Sequence, residues 1–267
     1  MLGTFEKARR VLDLYSTRSP EWGVTEVARR LDIPASSAHL LMTSLTHMGL
    51  LHRTVAGRYR LGFKLLALSQ ILLSNTPWRD VSREVLSAES QRHAEALHLA
   101  AFDGGQVVVV ARFAGQYADS VILPDVGAVL PALESASGRL LLAHRPWNVV
   151  KRVLTEAALP ADRAEEALRV LEQVLQDGHS VYEDGLSWSA AAGVRNHNGE
   201  VIATACVSLP LERPAEQRAG LLQVVLAIGH DISERLGYFS APGAETQAVW
   251  TSVQGQERLS VRPRRHS

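Results

Sequence analysis

Between residues 35 and 48 the apolar side chains fall at Ala38, Leu41, Met42, Leu45 and Met48. Those steps of three, one, three and three make a single stripe along a helix. The opposite face carries Ser36, Ser37, His39, Leu40, Thr43, Ser44 and His47. Pro34 suits the first turn of this helix and Gly49 ends it. Upstream, the pattern predicts a helix from the capping residue Thr4 to about Thr17, with Ala8, Val11, Leu12 and Tyr15 on one side. Ser19 to Gly23 interrupts it. A second helix begins near Val24, with Gly23 as N-cap and Glu26 close to the positive helix end, and turns Val27, Ala28 and Leu31 inward. Beyond Gly49, residues 50–53 and 58–61 read as strands around a turn at Val55, Ala56 and Gly57.

From Phe63 to Ser74 the periodicity changes. Phe63, Leu65, Leu66, Leu68, Ile71, Leu72 and Leu73 cover more than one helical face. Such a helix either meets a second copy of the chain or is sandwiched between two domains of one chain. Asn75, Thr76 and Pro77 end it. A helix over about 78–96 follows, then strands over 97–102 and 107–113 around the turn Asp103-Gly104-Gly105, and a third strand at 120–123. Helices are expected at about 135–143, 147–156 and 162–176. Residues 188–195 and 200–209 form a second hairpin across Asn198-Gly199. A final helix spans about 216–236, with Leu221, Leu222, Val225, Ile228 and Ile232 inward. Hairpins at both ends with helices between them indicate an α+β fold, an antiparallel sheet flanked by helices. From Ala241 the chain is rich in Pro, Gly, Gln, Ser and Arg without a period, and is expected to be a disordered tail. The domains are therefore 1–62, a linker helix at 63–76, a second domain at 77–239, and a tail at 240–267.

Charge sharpens this division. Over all 267 residues the formal net charge is zero. Residues 1–64 nevertheless carry 10 basic against 5 acidic side chains, and residues 65–239 carry 14 against 21. A basic end on an acidic body indicates that the first domain meets a polyanion, unless the asymmetry is chance among few charges. Two helices around a tight turn, then a hairpin with Arg53, Arg58 and Arg60, have the layout of a winged helix-turn-helix. Its third helix would enter the major groove of double-stranded DNA and its hairpin would reach the flanking phosphates or minor groove. The alternative is a small helical domain using the same geometry for protein contacts. Base contacts are expected from Ser36, Ser37, His39 and Thr43, and phosphate contacts from Arg53, Arg58 and Arg60. Arg262, Pro263, Arg264 and Arg265 in the tail either touch nucleic acid or form an inert solvated end.

The segment from Val24 to Gly62, ending Gly57-Arg58-Tyr59-Arg60-Leu61-Gly62, resembles the N-terminal domain of IclR-family transcriptional regulators, whose wing ends G-[KR]-Y-x-L-G. The resemblance continues to about Leu236. It implies a homodimer or dimer of dimers, with contacts on the linker helix, and an effector-binding second domain similar to a GAF domain. Two positions depart from the family. Members usually place Lys or Arg just after the proline and another Arg in mid-helix, where this chain has Ala35 and Leu40. The helix therefore lacks a guanidinium for the bidentate guanine contact.

Residues 131–140 resemble the family's P-L-H-A-T-A-x-G-K-A segment, which opens a helix beside the effector pocket. Free N–H groups in a first helical turn bind carboxylates, and Ser135, Ala136 and Gly138 fit this, while the charge of Glu134 opposes it. The same residues also suit a capped helix with small side chains for close packing. Residues 203–208 resemble the family strand A-L-S-V-S, whose alternate hydroxyls face the ligand, and a period of two puts Cys206 and Ser208 on one face. Cys206 is then a pocket-lining residue or an inert core cysteine. Alignment on Gly199 puts Ser189 where many members have cysteine, and adds Asp184 and, as an aromatic wall, Trp188. The effector would be a small molecule, an organic acid or an aromatic compound.

Enzymatic chemistry has little support. G-x-S-x-G, H-E-x-x-H, G-x-x-x-x-G-K-[ST] and G-x-G-x-x-G are absent from the sequence. The alternative is an enzyme of the GAF-like fold fused to a DNA-binding domain. A single cysteine excludes a disulfide framework and a multi-cysteine zinc site. No cofactor, metal or membrane partner is expected. The N-terminus has no signal-peptide pattern, and a cytoplasmic location is expected. The expectation is a ligand-responsive transcriptional regulator, either repressor or activator.

Overall fold

The computed structural model describes residues 3–16, 18–93, 95–116 and 123–239, and the backbone of 247–251 and 258–262. Two compact units divide at Pro77 and Trp78. In the first, α1 (Gly3–Leu12), α2 (Val24–Leu31) and α3 (Ala35–His47) close around Val11, Val27, Ala28, Leu31, Ala38, Leu41, Met42 and Leu45. The first helix stops at Leu12 rather than continuing to Thr17. Leu14 and Tyr15 still pack on the core from the following turn, where the Trp22 indole N–H donates to the Leu14 carbonyl at 3.0 Å. At the start of α2, the Gly23 N–H donates to the Glu26 carboxylate at 2.9 Å, satisfying one of the free donors of the helix end.

A three-stranded antiparallel wing completes this unit. β2 (Leu51–Arg53) and β3 (Tyr59–Leu61) form the expected hairpin, and β1 (Glu21–Trp22), read from the sequence only as a break, pairs with β3. The two glycines of the wing motif have separate reasons. Gly57 turns the hairpin at φ 77°. Gly62 has no room for a Cβ, which would collide with the backbone of Gly49 and Leu50. The helix α4 (Lys64–Ser74) buries none of its residues and exposes Leu66, Leu68, Ile71 and Leu72.

The second unit is a six-stranded antiparallel sheet between two helical layers. Its strands are β4 (Ala96–Asp103), β5 (Gln106–Phe113), β6 (Val129–Leu130), β7 (His179–Glu183), β8 (Ser187–Arg195) and β9 (Val201–Pro210), in the order β6-β5-β4-β9-β8-β7. One face packs on α5 (Pro77–His93) and α9 (Ala215–Arg235) through Val85, Leu86, Val225, Ile228 and Ile232. The other packs on α6 (Ala136–Ala143), α7 (Trp147–Glu156) and α8 (Ala161–Asp177) through Leu140, Val150, Leu171 and Val174. The expected α+β class stands. The two edge strands β6 and β7 went unforeseen, and most of the strand expected at 120–123 lies outside the described residues. Within the segment expected to be a disordered tail, the described residues include β10 (Gln247–Thr251), which pairs antiparallel with β11 (Arg258–Arg262). Both segments carry residues that favour strands, among them Val249, Trp250 and Val261. Among the described residues no helix is long and apolar enough to cross a membrane.

Candidate functional site

In the first unit Ala38, Leu41, Met42 and Leu45 of α3 are at most 8% exposed, which fixes what the other side presents; Met48, expected to continue the stripe, is the C-cap of the helix and is 59% exposed. At 3.6 residues per turn, Ser36, Leu40, Thr43 and His47 fall in one row opposite the stripe, flanked by His39 and Ser44. Ser37 sits at the edge of this face and is half-buried. The hydroxyls of Ser36, Ser37 and Thr43 have no partner among the described residues, whereas Thr46 donates back to the Met42 carbonyl at 2.8 Å. This surface therefore offers free donors and acceptors on a rigid helix.

The wing arginines differ from one another. Arg53 and Arg60 are exposed, and Arg53 lies over the Tyr59 ring at 5.9 Å from its centroid. Arg58 is engaged within the chain. Its two terminal nitrogens donate to the Glu26 carboxylate at 3.1 and 2.7 Å, and one of them also donates to the Glu21 carbonyl at 2.9 Å. The forked pairing lowers the Glu26 pKa and raises that of Arg58. These bonds join the wing to α2 and engage within the chain the guanidinium that the sequence reading assigned to a phosphate.

In the second unit the register gathers part of the expected effector set. Cys206 stands opposite Ala191 on β8 and His98 on β4, and Ser208 opposite Ser189 and Ala96. These side chains share the face that meets α6. Ser137, not Ser135, faces them. Its hydroxyl lies 3.4 Å from His98 Nε2 and within hydrogen-bonding reach of Cys206. Ser135 is instead the N-cap of α6: its oxygen accepts from the Gly138 N–H at 3.0 Å and its hydroxyl donates to the Pro131 carbonyl at 2.7 Å. Gly138 opens no access. A Cβ there would stand 2.5 Å from the Pro131 oxygen and 2.6 Å from Ser135 Oγ. Ala136 is buried in the packing of α6 on the sheet.

Two expected residues lie elsewhere. Trp188 points to the opposite face, among Val85, Leu86, Val207 and Leu209, because neighbours in a strand alternate sides. It is not a wall beside Ser189. Asp184 sits in the exposed turn before β8, where its carboxylate accepts from the Leu186 and Ser187 N–H groups at 2.8 and 2.7 Å, which lowers its pKa.

Electrostatically the sheet face is a neutral polar patch. Burial pushes the Cys206 thiol up to about 12 and His98 down to about 4, so neither is charged near neutrality. His98 Nδ1 and the Ser180 hydroxyl have no hydrogen-bond partner among the described residues. Sequence reasoning passed over His98 and Ser137 as site residues. A separate cleft of about 340 Å³ opens between the 131–134 segment, α7 and α8, lined in part by Leu133, Glu134, Arg139, Val153 and Leu171. None of the expected effector residues lines it. Among the described residues no cluster of His, Cys, Asp or Glu could hold a metal ion.

Comparison with known proteins decides what these two units are. Residues 4–54 match the IclR helix-turn-helix domain, and residues 70–234 match the C-terminal domain of the bacterial IclR transcriptional regulators. The chain belongs to the IclR family. It is a DNA-binding transcriptional regulator of the IclR type, and not an enzyme. It is 25% identical over 252 residues to the HTH-type transcriptional regulator XynR of Escherichia coli, covering 89% of this chain and 98% of that one. It is 26% identical over 238 residues to the Pca regulon regulatory protein of Pseudomonas putida, covering 85% and 81%. Among solved structures it is similar to an IclR homolog from Microbacterium hydrocarbonoxydans complexed with 4-hydroxybenzoate, with a TM-score of 0.72, 24% identity and coverage of 87% and 98%. The IclR of Thermotoga maritima matches with a TM-score of 0.64. These likenesses cover both units of an IclR regulator.

Proposed function

We propose that the protein is a cytoplasmic homodimer, or a dimer of dimers, that reads a paired operator through α3 and the wing and responds to a small organic acid or aromatic compound in its second unit. The observation that carries this reading is the outward face of α3, with hydroxyls unpartnered among the described residues, together with the exposed Arg53 and Arg60 of the same unit. Ser36, His39 and Thr43 meet base edges, Ser37 acts from the margin, and the arginines meet phosphates. Two copies related by a two-fold axis then read half-sites about one helical turn of DNA apart, or a multiple of that. The exposed leucines and isoleucine of α4 supply an apolar surface for the second copy.

The effector occupies the face formed by Ser189, Cys206, Ser208, Ser137 and His98. Support comes from the uncharged, incompletely paired polar groups on that face, and from the related regulator solved with 4-hydroxybenzoate. Binding there shifts the population of dimer geometries able to engage both half-sites.

The test uses the full chain and a panel of small acids that includes 4-hydroxybenzoate. A compound that raises the melting temperature should also change operator affinity. Ser208→Trp should abolish both responses while unliganded operator binding persists. A compound that acts equally on wild type and Ser208→Trp would move the effector away from this face. Charged replacements at Leu68 and Leu72 should give monomers by light scattering, and a wild-type mass in both would remove α4 from the dimer contact.

A further inference from the structure

Leu40 is 68% exposed in the central row of the outward face of α3. It lies between Ser36, one turn before, and Thr43, about one turn after, both with hydroxyls unpartnered among the described residues. A large apolar side chain in that row has no core to join, since the core of this unit lies on the other side of the helix. The major groove offers one apolar feature among the four bases, the C5-methyl group of thymine. A leucine set between hydroxyls matches such a target: the methyl is covered by the leucine, and the neighbouring base edges meet the hydroxyls.

We propose that Leu40 reads the C5-methyl of a thymine in each operator half-site, so that this regulator's central specificity contact is apolar where an arginine would read guanine. The inference rests on the reading that α3 faces the bases. Its sign is distinctive. Arginine selects for hydrogen-bond acceptors, whereas leucine selects for a methyl group and is indifferent to the hydrogen-bonding edge that thymine shares with uracil.

The experiment uses the full chain and an operator selected from a random duplex library. Each thymine of one half-site is replaced in turn by uracil, which removes only the methyl. At one position wild-type affinity should fall about fourfold, the factor corresponding to about 0.8 kcal/mol for one buried methyl. Leu40→Ala should bind the thymine and uracil versions equally, with its mass unchanged by light scattering. If wild type ignores uracil everywhere while Ser36→Ala or Thr43→Ala alters base preference, α3 reads bases but Leu40 does not read a methyl. If none of these changes alters base preference, the reading of α3 itself fails. Retained thymine preference in Leu40→Ala would assign the methyl contact to another side chain. A smaller mass for that variant would place Leu40 against a second copy of the chain. Each of these outcomes overturns the proposal.

Discussion

The helices α3 and α6 are both short, both begin beside a serine, and dispose of their small hydroxyl side chains in opposite ways. On α3 only Ala38, Leu41, Met42 and Leu45 are buried, and Ser36, Ser37 and Thr43 keep hydroxyls unpartnered among the described residues. On α6 every residue except Arg139 is buried, Ser135 closes the helix end, and Ser137 turns to His98 and Cys206. A ligand can join the first surface without disturbing the protein. At the second it must displace packing and hydrogen bonds already made. An open site suits a partner as large as DNA, and a closed one suits a small molecule whose binding must change the protein in order to be felt.

The largest expected effect tests how tightly α6 is held. Gly138→Ala puts a methyl group against the Pro131 and Ala132 carbonyls and the Ser135 hydroxyl. The second unit should lose about 3 kcal/mol in denaturant unfolding, as overpacking against backbone does. Ser36→Ala on α3 should change stability by less than about 0.5 kcal/mol. Equal effects from the two substitutions would erase the contrast between the helices.

The same contrast explains what was legible in the sequence. A helix with one apolar stripe declares its free face by period alone, and α3 was readable for that reason. The alternation of β9 placed Cys206 and Ser208 together, and by the same rule Trp188 had to oppose Ser189. A helix buried all round has no opposite face, so the period could not say whether Ser135 or Ser137 meets the sheet. His98 sits in a strand whose other residues from Ala96 to Phe102 are apolar, with no local sign that its partner would be 39 residues away. The pairing of Arg58 with Glu26 across 32 residues is equally invisible to spacing. β1 and β6 have two residues each, too few for any pattern to register.

The closed face should also respond to acid. Burial holds the His98 pKa at about 4 in the folded chain, below the usual 6.5. Between those values the unfolded chain binds the proton and the folded chain does not, so stability falls as pH falls through that window. From pH 7.5 to 5 His98 should cost about 2 kcal/mol. The burial of His144, also held at about 4, adds a loss of the same sign. His98→Asn, which keeps a polar group facing Ser137, should flatten the pH dependence measured by denaturant titration. An unchanged slope would mean that His98 takes up its proton equally in the folded and unfolded chains, and the patch would not stay neutral in mild acid.

The smallest effect separates the two arginines of β3 and its turn. Arg60 is exposed and forms no ion pair among the described residues, so Arg60→Ala should remove a phosphate contact. The slope of log affinity against log salt should then fall by about 0.9 per subunit, with base preference unchanged. Arg58 makes the opposite prediction through its partner. If Arg58 were a phosphate contact held in reserve by Glu26, Glu26→Gln would free it and remove a negative charge, and operator binding would tighten. If it is the clasp that fixes the wing on α2, Glu26→Gln loosens the wing and binding weakens even though the net charge becomes more favourable. The clasp geometry, with both guanidinium nitrogens on one carboxylate and a third bond to the Glu21 carbonyl, predicts weakening. A Glu26→Gln variant that binds the operator more tightly than wild type, with a steeper salt slope, would return Arg58 to the phosphate-binding set.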